Sequence, residues 1–145
     1  MQTSPRKNFV LLHVEDNSAD ADLVSEFFAS ELPEISCLRA KDPAEVFLCL
    51  NKVGNFSNAP KPDLILLDLN LGHESGFDVL KKIKADPLHR QTPVIIFTTS
   101  DCANDIAEGH QSGANSYIVK PYDLDEVEKV LREIAKFWFG MARLR

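Results

Sequence analysis

The run Pro62-Asp63-Leu64-Ile65-Leu66-Leu67-Asp68-Leu69-Asn70 constrains the fold more than any other stretch of the chain. Leu64 to Leu67 are uninterruptedly apolar and are bracketed by Asp63 and Asp68. A short apolar run between turn signals suits a strand covered on both faces, as in a parallel sheet with helices on each side. Such a strand presents Asp68 at its C-terminal edge, where open α/β sheets bind their ligands. A lone Asp after a strand often does no more than cap a turn. What stands at the ends of the other strands decides between the two readings.

Four further runs read as strands: Phe9 to Val14, Ile35 to Ala40, Pro93 to Phe97, and Tyr117 to Val119. Helices are predicted between and after them. Leu23, Val24, Phe27 and Phe28 recur at helical spacing behind a cap at Asn17 or Ser18, and Pro33 stops that helix. Asp42-Pro43 opens a second helix with Val46, Phe47, Leu50 and Val53 on its apolar face. The connection 54–61 reads as the longest unstructured loop, and Leu69 to Ser75 as another. Gly76 to Ala85 is the third helix, with Phe77, Leu80 and Ile83 inward, and Ala103 to Ser112 the fourth, with Gly113 just past its end. Asp123 to Glu126 reads as a capping box for a last helix reaching about Ala142. Five strands alternating with five helices predict an α/β fold, a doubly wound five-stranded parallel sheet of the flavodoxin-like (βα)5 kind. Taken by analogy with such sheets, its strand order is 2-1-3-4-5.

Size and charge narrow the function. The 145 residues fit one domain, and 44% hydrophobic content supplies a core. The net charge is −6 with Lys and Arg scattered, which argues against a nucleic-acid partner. No apolar run approaches the roughly 18 residues of a membrane span, and 1–8 reads as a flexible polar N-terminus without the apolar centre of a signal peptide. A cytoplasmic location without membrane contact is expected. Cys37, Cys49 and Cys102 form no close pair and suit a reducing compartment. His13 reads as a core residue. His73, His89 and His110 read as surface residues without metal spacing.

The strand ends carry Glu15 and Asp16, Asp68, Thr98 with Thr99, and Lys120. In the 2-1-3-4-5 order the three carboxylates converge on one crevice and repel one another. The usual remedy is a hard divalent cation, and Mg²⁺ takes one or two carboxylates, a carbonyl and waters. Lys120 adds positive charge and Thr98 a hydroxyl donor. This set suits phosphoryl transfer to a carboxylate, with Asp68 as the nucleophile.

The chain resembles the receiver domain of two-component response regulators over essentially its whole length. The resemblance is carried by Val14-Glu15-Asp16-Asn17, by Leu66-Leu67-Asp68-Leu69-Asn70-Leu71 with Gly76 after it, by Ile96-Phe97-Thr98-Thr99-Ser100 and by Tyr117-Ile118-Val119-Lys120-Pro121. The spacings from Asp68 to Thr98 and from Thr98 to Lys120 also match. The resemblance implies that Asp68 is the phosphoacceptor for a phosphohistidine on a sensor histidine kinase. It implies that Asp16, Asp68 and the backbone carbonyl of Asn70 bind Mg²⁺, with Mn²⁺ or Ca²⁺ as substitutes, and that Glu15 acts through water. Thr98 and Tyr117 would be the switch residues, Lys120 the partner of the phosphoryl group, and Lys120–Pro121 a cis peptide. Such a domain slowly dephosphorylates itself and is not expected to be an enzyme. Its output is protein contact or onward phosphotransfer. Three positions depart from the commonest pattern: Glu15 as the first acid, Gly72 where proline is frequent, and Thr99 where a small residue is frequent.

The chain is also similar, more narrowly, to the small single-domain regulators that serve cyanobacterial and bacterial phytochromes, which pair as dimers. That similarity rests on the loop with Asn55, Phe56 and Pro60, the Asp63–Leu71 run, Thr98-Thr99-Ser100 and Phe137-Trp138. In a helix, three consecutive aromatics at about 100° per residue spread over about 200°. Phe137, Trp138 and Phe139 therefore cannot all face inward. An exposed member would be a dimer contact on a C-terminal extension, 137–145, of a receiver spanning 9–136. A phytochrome would be the kinase partner and a second copy the homodimer partner.

Two rivals use similar pieces. A flavodoxin-like electron carrier needs a Ser/Thr/Gly-rich phosphate loop after the first strand, where this chain has Glu15-Asp16-Asn17-Ser18-Ala19-Asp20. An aspartate-nucleophile phosphatase places an acid two residues after the nucleophile, where this chain has Asn70.

Overall fold

The computed structural model describes residues 8–141. The five strands are β1 (Phe9–Val14), β2 (Ile35–Ala40), β3 (Leu64–Leu67), β4 (Val94–Thr98) and β5 (Ser116–Val119). They form one parallel sheet in the order β2-β1-β3-β4-β5. The helices are α1 (Ser18–Glu31), α2 (Pro43–Leu50), α3 (Gly76–Ala85), α4 (Ala103–Gln111) and α5 (Leu124–Ala135). The doubly wound architecture expected from the alternation is the one observed.

Strand alternation sorts the core onto the two faces of the sheet. Leu12, Val14, Ile65, Leu67 and Ile96 pack with Val46 of α2 and with Leu80 and Ile83 of α3. Leu11, Leu64, Leu66, Ile95 and Phe97 pack with Val24, Phe27 and Phe28 of α1 and with Leu131 and Ile134 of α5. All four residues of β3 are fully buried, as a central strand covered on both faces requires. No helix among the described residues is long and apolar enough to cross a membrane.

Local signals explain most element ends. Asn17 caps α1 by accepting from the backbone of Asp20, and Asp42 caps α2 by accepting from Glu45. Gly113 has φ +102°, the left-handed turn that ends α4. Asp123 caps α5 by accepting from the Asp125 amide, whereas Glu126 pairs with Lys129 instead of closing a capping box.

Other local expectations are corrected. Val53 lies beyond α2 and is half exposed, because Asn51 ends the helix and Lys52 turns left-handed at φ +57°. The connection expected to be unstructured holds a short helical turn, Gly54–Phe56, and Phe56 and Ala59 pack against the core. The segment after Asp68 is not plain loop: Asn70–Leu71 pairs antiparallel with Glu74–Ser75, burying Leu71. His89 is buried, and neither ring nitrogen has a hydrogen-bond partner among the described residues. The Lys120–Pro121 peptide is trans, as no cis bond occurs among the described residues. Trans is the intrinsically favoured form of an X–Pro bond, and Lys120 reaches its ion-pair partners from it.

At the C-terminus, α5 gives way after Ala135 to a wider π-type turn, Lys136–Met141. Trp138 and Phe139 pack inward, with Phe139 against Phe9 at 4.9 Å between ring centroids. Phe137 is the exposed aromatic, at 52%. The expected N-terminal segment 1–8 falls almost wholly outside the described residues, and so does the helix end at Ala142.

Gly76 is where α3 meets the carboxyl edge of the sheet. Its amide donates to Leu69 O at 2.8 Å. A Cβ there would lie 2.3 Å from the backbone oxygen of Asp68 and 2.8 Å from Leu69 Cα. These are backbone atoms and cannot swing aside. Gly76→Ala is expected to destabilise the fold by about 2 kcal/mol through overpacking, measured by urea unfolding. An unchanged midpoint would show that α3 can slide away from Asp68.

Candidate functional site

The strand ladders bring the polar strand ends together. Glu15 N donates to Ala40 O at 3.0 Å, and Asp68 N donates to Val14 O at 3.1 Å. Each bond extends a ladder one residue past the strand. Glu15 and Asp68 therefore stand side by side at the carboxyl edge, both buried. Lys120 N donates to Thr98 O at 2.7 Å, holding the end of β5 against that of β4.

Lys120 crosses to the carboxylates. Its Nζ lies 2.6 Å from Glu15 Oε1, 2.9 Å from Asp68 Oδ2 and 3.9 Å from Asp20 Oδ2. It also sits over the Phe97 ring, 5.6 Å from the centroid. Asp68 Oδ1 accepts from the amide of Asn70 at 3.0 Å. Asp68 thus has one oxygen on the lysine and the other on its own following loop.

The same architecture occurs in known proteins. Residues 11–132 match the response regulator receiver domain. This chain belongs to the response regulator receiver domain family. It is 34% identical over 143 residues to response regulator Rcp1 of Synechocystis, covering 99% of this chain and 96% of that protein. The crystal structure of the phosphorylated cyanobacterial phytochrome response regulator RcpA superposes with a TM-score of 0.88 at 35% identity, covering 94% of this chain and 98% of that one. The Mn²⁺-bound form of Rcp1 superposes at 0.85 with 33% identity, over 94% of this chain and 99% of that one. The chain is the receiver domain of a two-component response regulator, closely related to Rcp1 and RcpA.

Not every candidate of this receiver joins the cluster. Asp16 is exposed and stands at the rim. A Cβ on Gly72 would lie 3.8 Å from Asp16 Oδ2, so this carboxylate faces the ribbon after Asp68. Among the described residues no three His, Cys, Asp or Glu side chains make a metal cage by themselves. The expected convergence of three carboxylates is therefore two carboxylates on one lysine, with the third apart. The donor set still fits a hard divalent cation. All the donors are oxygens, and such an ion needs only one or two carboxylates, a carbonyl and waters. Asp16, Asp68 and the Asn70 carbonyl are the residues that would hold it. Acids at 15, 16 and 20 are poorly suited to a flavin phosphate, and the carboxamide side chain of Asn70 cannot act as the acid a phosphatase needs two residues after its nucleophile.

Thr98 is fully buried at the end of β4, its hydroxyl 3.5 Å from the Ser100 amide. Tyr117 on β5 donates its hydroxyl to Ser100 O at 2.9 Å, and Ser100 donates to Asp105 Oδ2 of α4 at 2.7 Å. The loop between β4 and α4 is thus tied to both proposed switch residues.

Arg39 escaped the sequence reading. At the end of β2 it donates Nε to Glu15 O at 3.1 Å and Nη2 to Asp16 O at 3.2 Å, fixing the backbone that carries both acids. The lone charged residue in the edge strand β2 was the available signal. Asp63 was read only as a strand boundary, yet its carboxylate accepts from the Val10 amide at 2.9 Å and ties the start of β3 to β1.

Burial sets the protonation of the site. It pushes the Glu15 carboxyl up from 4.5 to about 7; the Lys120 hydrogen bond pulls back and the Asp68 charge pushes further up. Burial works to lower Lys120, but its bond to Glu15 and the charges of Asp68 and Glu15 outweigh it, so its value is raised and it stays an ammonium. Burial, reinforced by Lys120, holds the imidazole of His13 down at about 3, so the ring is neutral. Burial likewise pushes the Cys37 thiol up to about 12, keeping it protonated.

The Glu15 shift predicts a pH effect. Its folded value lies above its ordinary one, so the stability it contributes is full below pH 4.5 and is lost as pH rises through 7. Glu15→Gln cannot lose that contribution. In metal-free buffer the variant should gain about 2 kcal/mol relative to wild type between pH 4.5 and 7.5, read by urea unfolding. A constant difference across that range would show that Glu15 is fully ionised throughout.

Proposed function

We propose that Asp68 is the phosphoacceptor of this receiver and takes its phosphoryl group from a phosphohistidine on a sensor histidine kinase. The observation that carries the reading is the environment of Asp68: a carboxylate at the edge of the central strand, 2.9 Å from the Lys120 ammonium. One Asp68 oxygen attacks phosphorus, the bond from phosphorus to the imidazole nitrogen breaks, and the nitrogen keeps the electron pair and takes a proton. An acyl phosphate results. Lys120 turns from the carboxylate to the new phosphoryl oxygens, and Thr98 donates its hydroxyl to one of them. Arg39 keeps Glu15 and Asp16 in place meanwhile. Asp16, Asp68 and the Asn70 carbonyl would hold a divalent cation, with Glu15 acting through water, and that ion would supply positive charge for those oxygens. Mg²⁺ is the physiological ion on this reading, with Mn²⁺ or Ca²⁺ as substitutes; the Mn²⁺-bound form of Rcp1 supports it.

The movement of Thr98 toward phosphate would shift the β4–α4 loop, and Tyr117, bonded to Ser100 in that loop, would follow. Output is then protein contact or onward phosphotransfer, with slow self-dephosphorylation as the timer. The likeness to the phytochrome response regulator RcpA supports a phytochrome as the kinase. Intact mass after incubation with acetyl phosphate tests the chemistry. Wild type should gain one phosphoryl group only with Mg²⁺, and Asp68→Asn none. Equal gain by the variant would remove Asp68 from the role.

We further propose that 9–136 is the receiver proper and that the extension from Phe137 carries a homodimer contact. Phe137 beside Trp138 borders an apolar groove with Ile118, Val130 and Ile134. Phe139, offered by sequence as a third contact, packs inward on Phe9 instead. Sedimentation should show a dimer at micromolar concentration that Phe137→Glu weakens at least tenfold. A wild-type monomer with and without phosphate would refute the contact.

A further inference from the structure

Of the three acids at the carboxyl edge, Asp16 is the one whose side chain has no anchor of its own. Glu15 and Asp68 both rest on Lys120, and Asp68 also accepts from the Asn70 amide. The Asp16 carboxylate accepts no hydrogen bond among the described residues, and it faces Gly72 in the ribbon that carries the Asn70 carbonyl. Its backbone is what places it. Arg39 donates Nε to the carbonyl of Glu15 and Nη2 to the carbonyl of Asp16. Those carbonyls belong to the peptide planes on either side of the Asp16 Cα. Each plane is rigid, so holding both sets the two backbone dihedrals of Asp16. The second plane is held at its far edge too, because the Asn17 amide donates to Glu15 Oε2 at 3.3 Å.

The pairing of β1 with β2 does not need this tie. The two strands are in register from Phe9 to Val14, and the Glu15 amide carries the ladder on to Ala40. Arg39 makes no ion pair among the described residues, so its planar fork serves the two carbonyls alone. A lysine ammonium is a point charge and offers no such rigid two-point grip.

We propose that Arg39 is a positioning residue that tilts the site toward Mg²⁺ relative to Ca²⁺. This rests on the reading that Asp16, Asp68 and the Asn70 carbonyl hold a divalent cation. Mg²⁺ demands a near-ideal octahedron with donors at about 2.0–2.1 Å, whereas Ca²⁺ accepts about six to eight oxygens at about 2.3–2.6 Å in flexible arrangements. An Asp16 whose backbone can swing therefore harms Mg²⁺ binding more than Ca²⁺ binding. The charge of Arg39 cannot produce that difference, because both ions are doubly positive and the guanidinium repels them alike. The ratio of the two affinities reports geometry, where either affinity alone would mix geometry with charge.

Mn²⁺ is the probe. Its free-ion EPR signal falls as it binds the full chain, and displacement by Mg²⁺ or Ca²⁺ gives the affinity for each. Arg39→Met removes the charge and the fork, and Arg39→Lys keeps the charge without the fork. In both variants the Mg²⁺-to-Ca²⁺ affinity ratio should fall about tenfold, the lower end of the effect of losing a group that orients a metal ligand. Amide NMR should show both variants folded, since the β1–β2 ladder is intact without Arg39. An unchanged ratio in both variants, with both affinities moving together, would overturn the proposal in favour of a purely electrostatic role. A ratio that falls in Arg39→Met and is restored in Arg39→Lys would overturn the two-point grip. Wild type that binds no Mn²⁺, or whose binding is undiminished by Asp68→Asn, would overturn the cation reading itself and the proposal with it.

Discussion

One ammonium holds two buried carboxylates at the edge of the sheet. Lys120 lies within 3 Å of both Glu15 and Asp68, and its side chain is 11% exposed. Withdrawing charges from water is expensive, and a buried pair stripped of one partner is strongly destabilised, by about 3–5 kcal/mol. The lysine comes from the last strand and the acids from the first and third, so their meeting requires that all three strands be in register. The ladder bonds that extend past Val14 and Ala40 to Asp68 and Glu15 deliver that register. Arg39, from the remaining edge strand, then locks the backbone of the acid pair.

The same cluster is poised to change. A site whose single cation is shared between two acids has that cation available when new negative charge arrives on one of them. The proposed phosphoryl group would supply it on Asp68 and compete with Glu15 for the lysine. The neighbouring loop is held by contacts of the side chains that would respond: Tyr117 on Ser100, and Ser100 on Asp105. A change at the end of β4 therefore has a path to α4 through hydrogen bonds already in place.

Much of this was legible in the sequence because the signals are local. The apolar run of β3, the caps at Asn17, Asp42 and Asp123, and the turn at Gly113 each act within a few residues. Alternation then fixed the fold class, and the fold class put Glu15, Asp68, Thr98 and Lys120 at one edge. What escaped depends on partners far along the chain. Arg39 is revealed only when β2 is laid beside β1, and the tie from Asp63 to Val10 only when β1 is laid beside β3. The burial of His89 follows from tertiary packing that periodicity does not encode. Asp16 was expected among the converging acids; it stands where the backbone bends after β1 and stays exposed at the rim.

The central claim is that Asp68, Lys120 and Thr98 form one phosphoryl-binding set. A crystal structure of the chain with Mg²⁺ and beryllofluoride, an acyl phosphate mimic, tests it most directly. Beryllium should be bonded to the Asp68 carboxylate, with Lys120 moved off Glu15 onto a fluorine and the Thr98 hydroxyl within hydrogen-bond reach of another. Beryllofluoride on a different residue, or bound at Asp68 with Lys120 still on Glu15, would contradict the account.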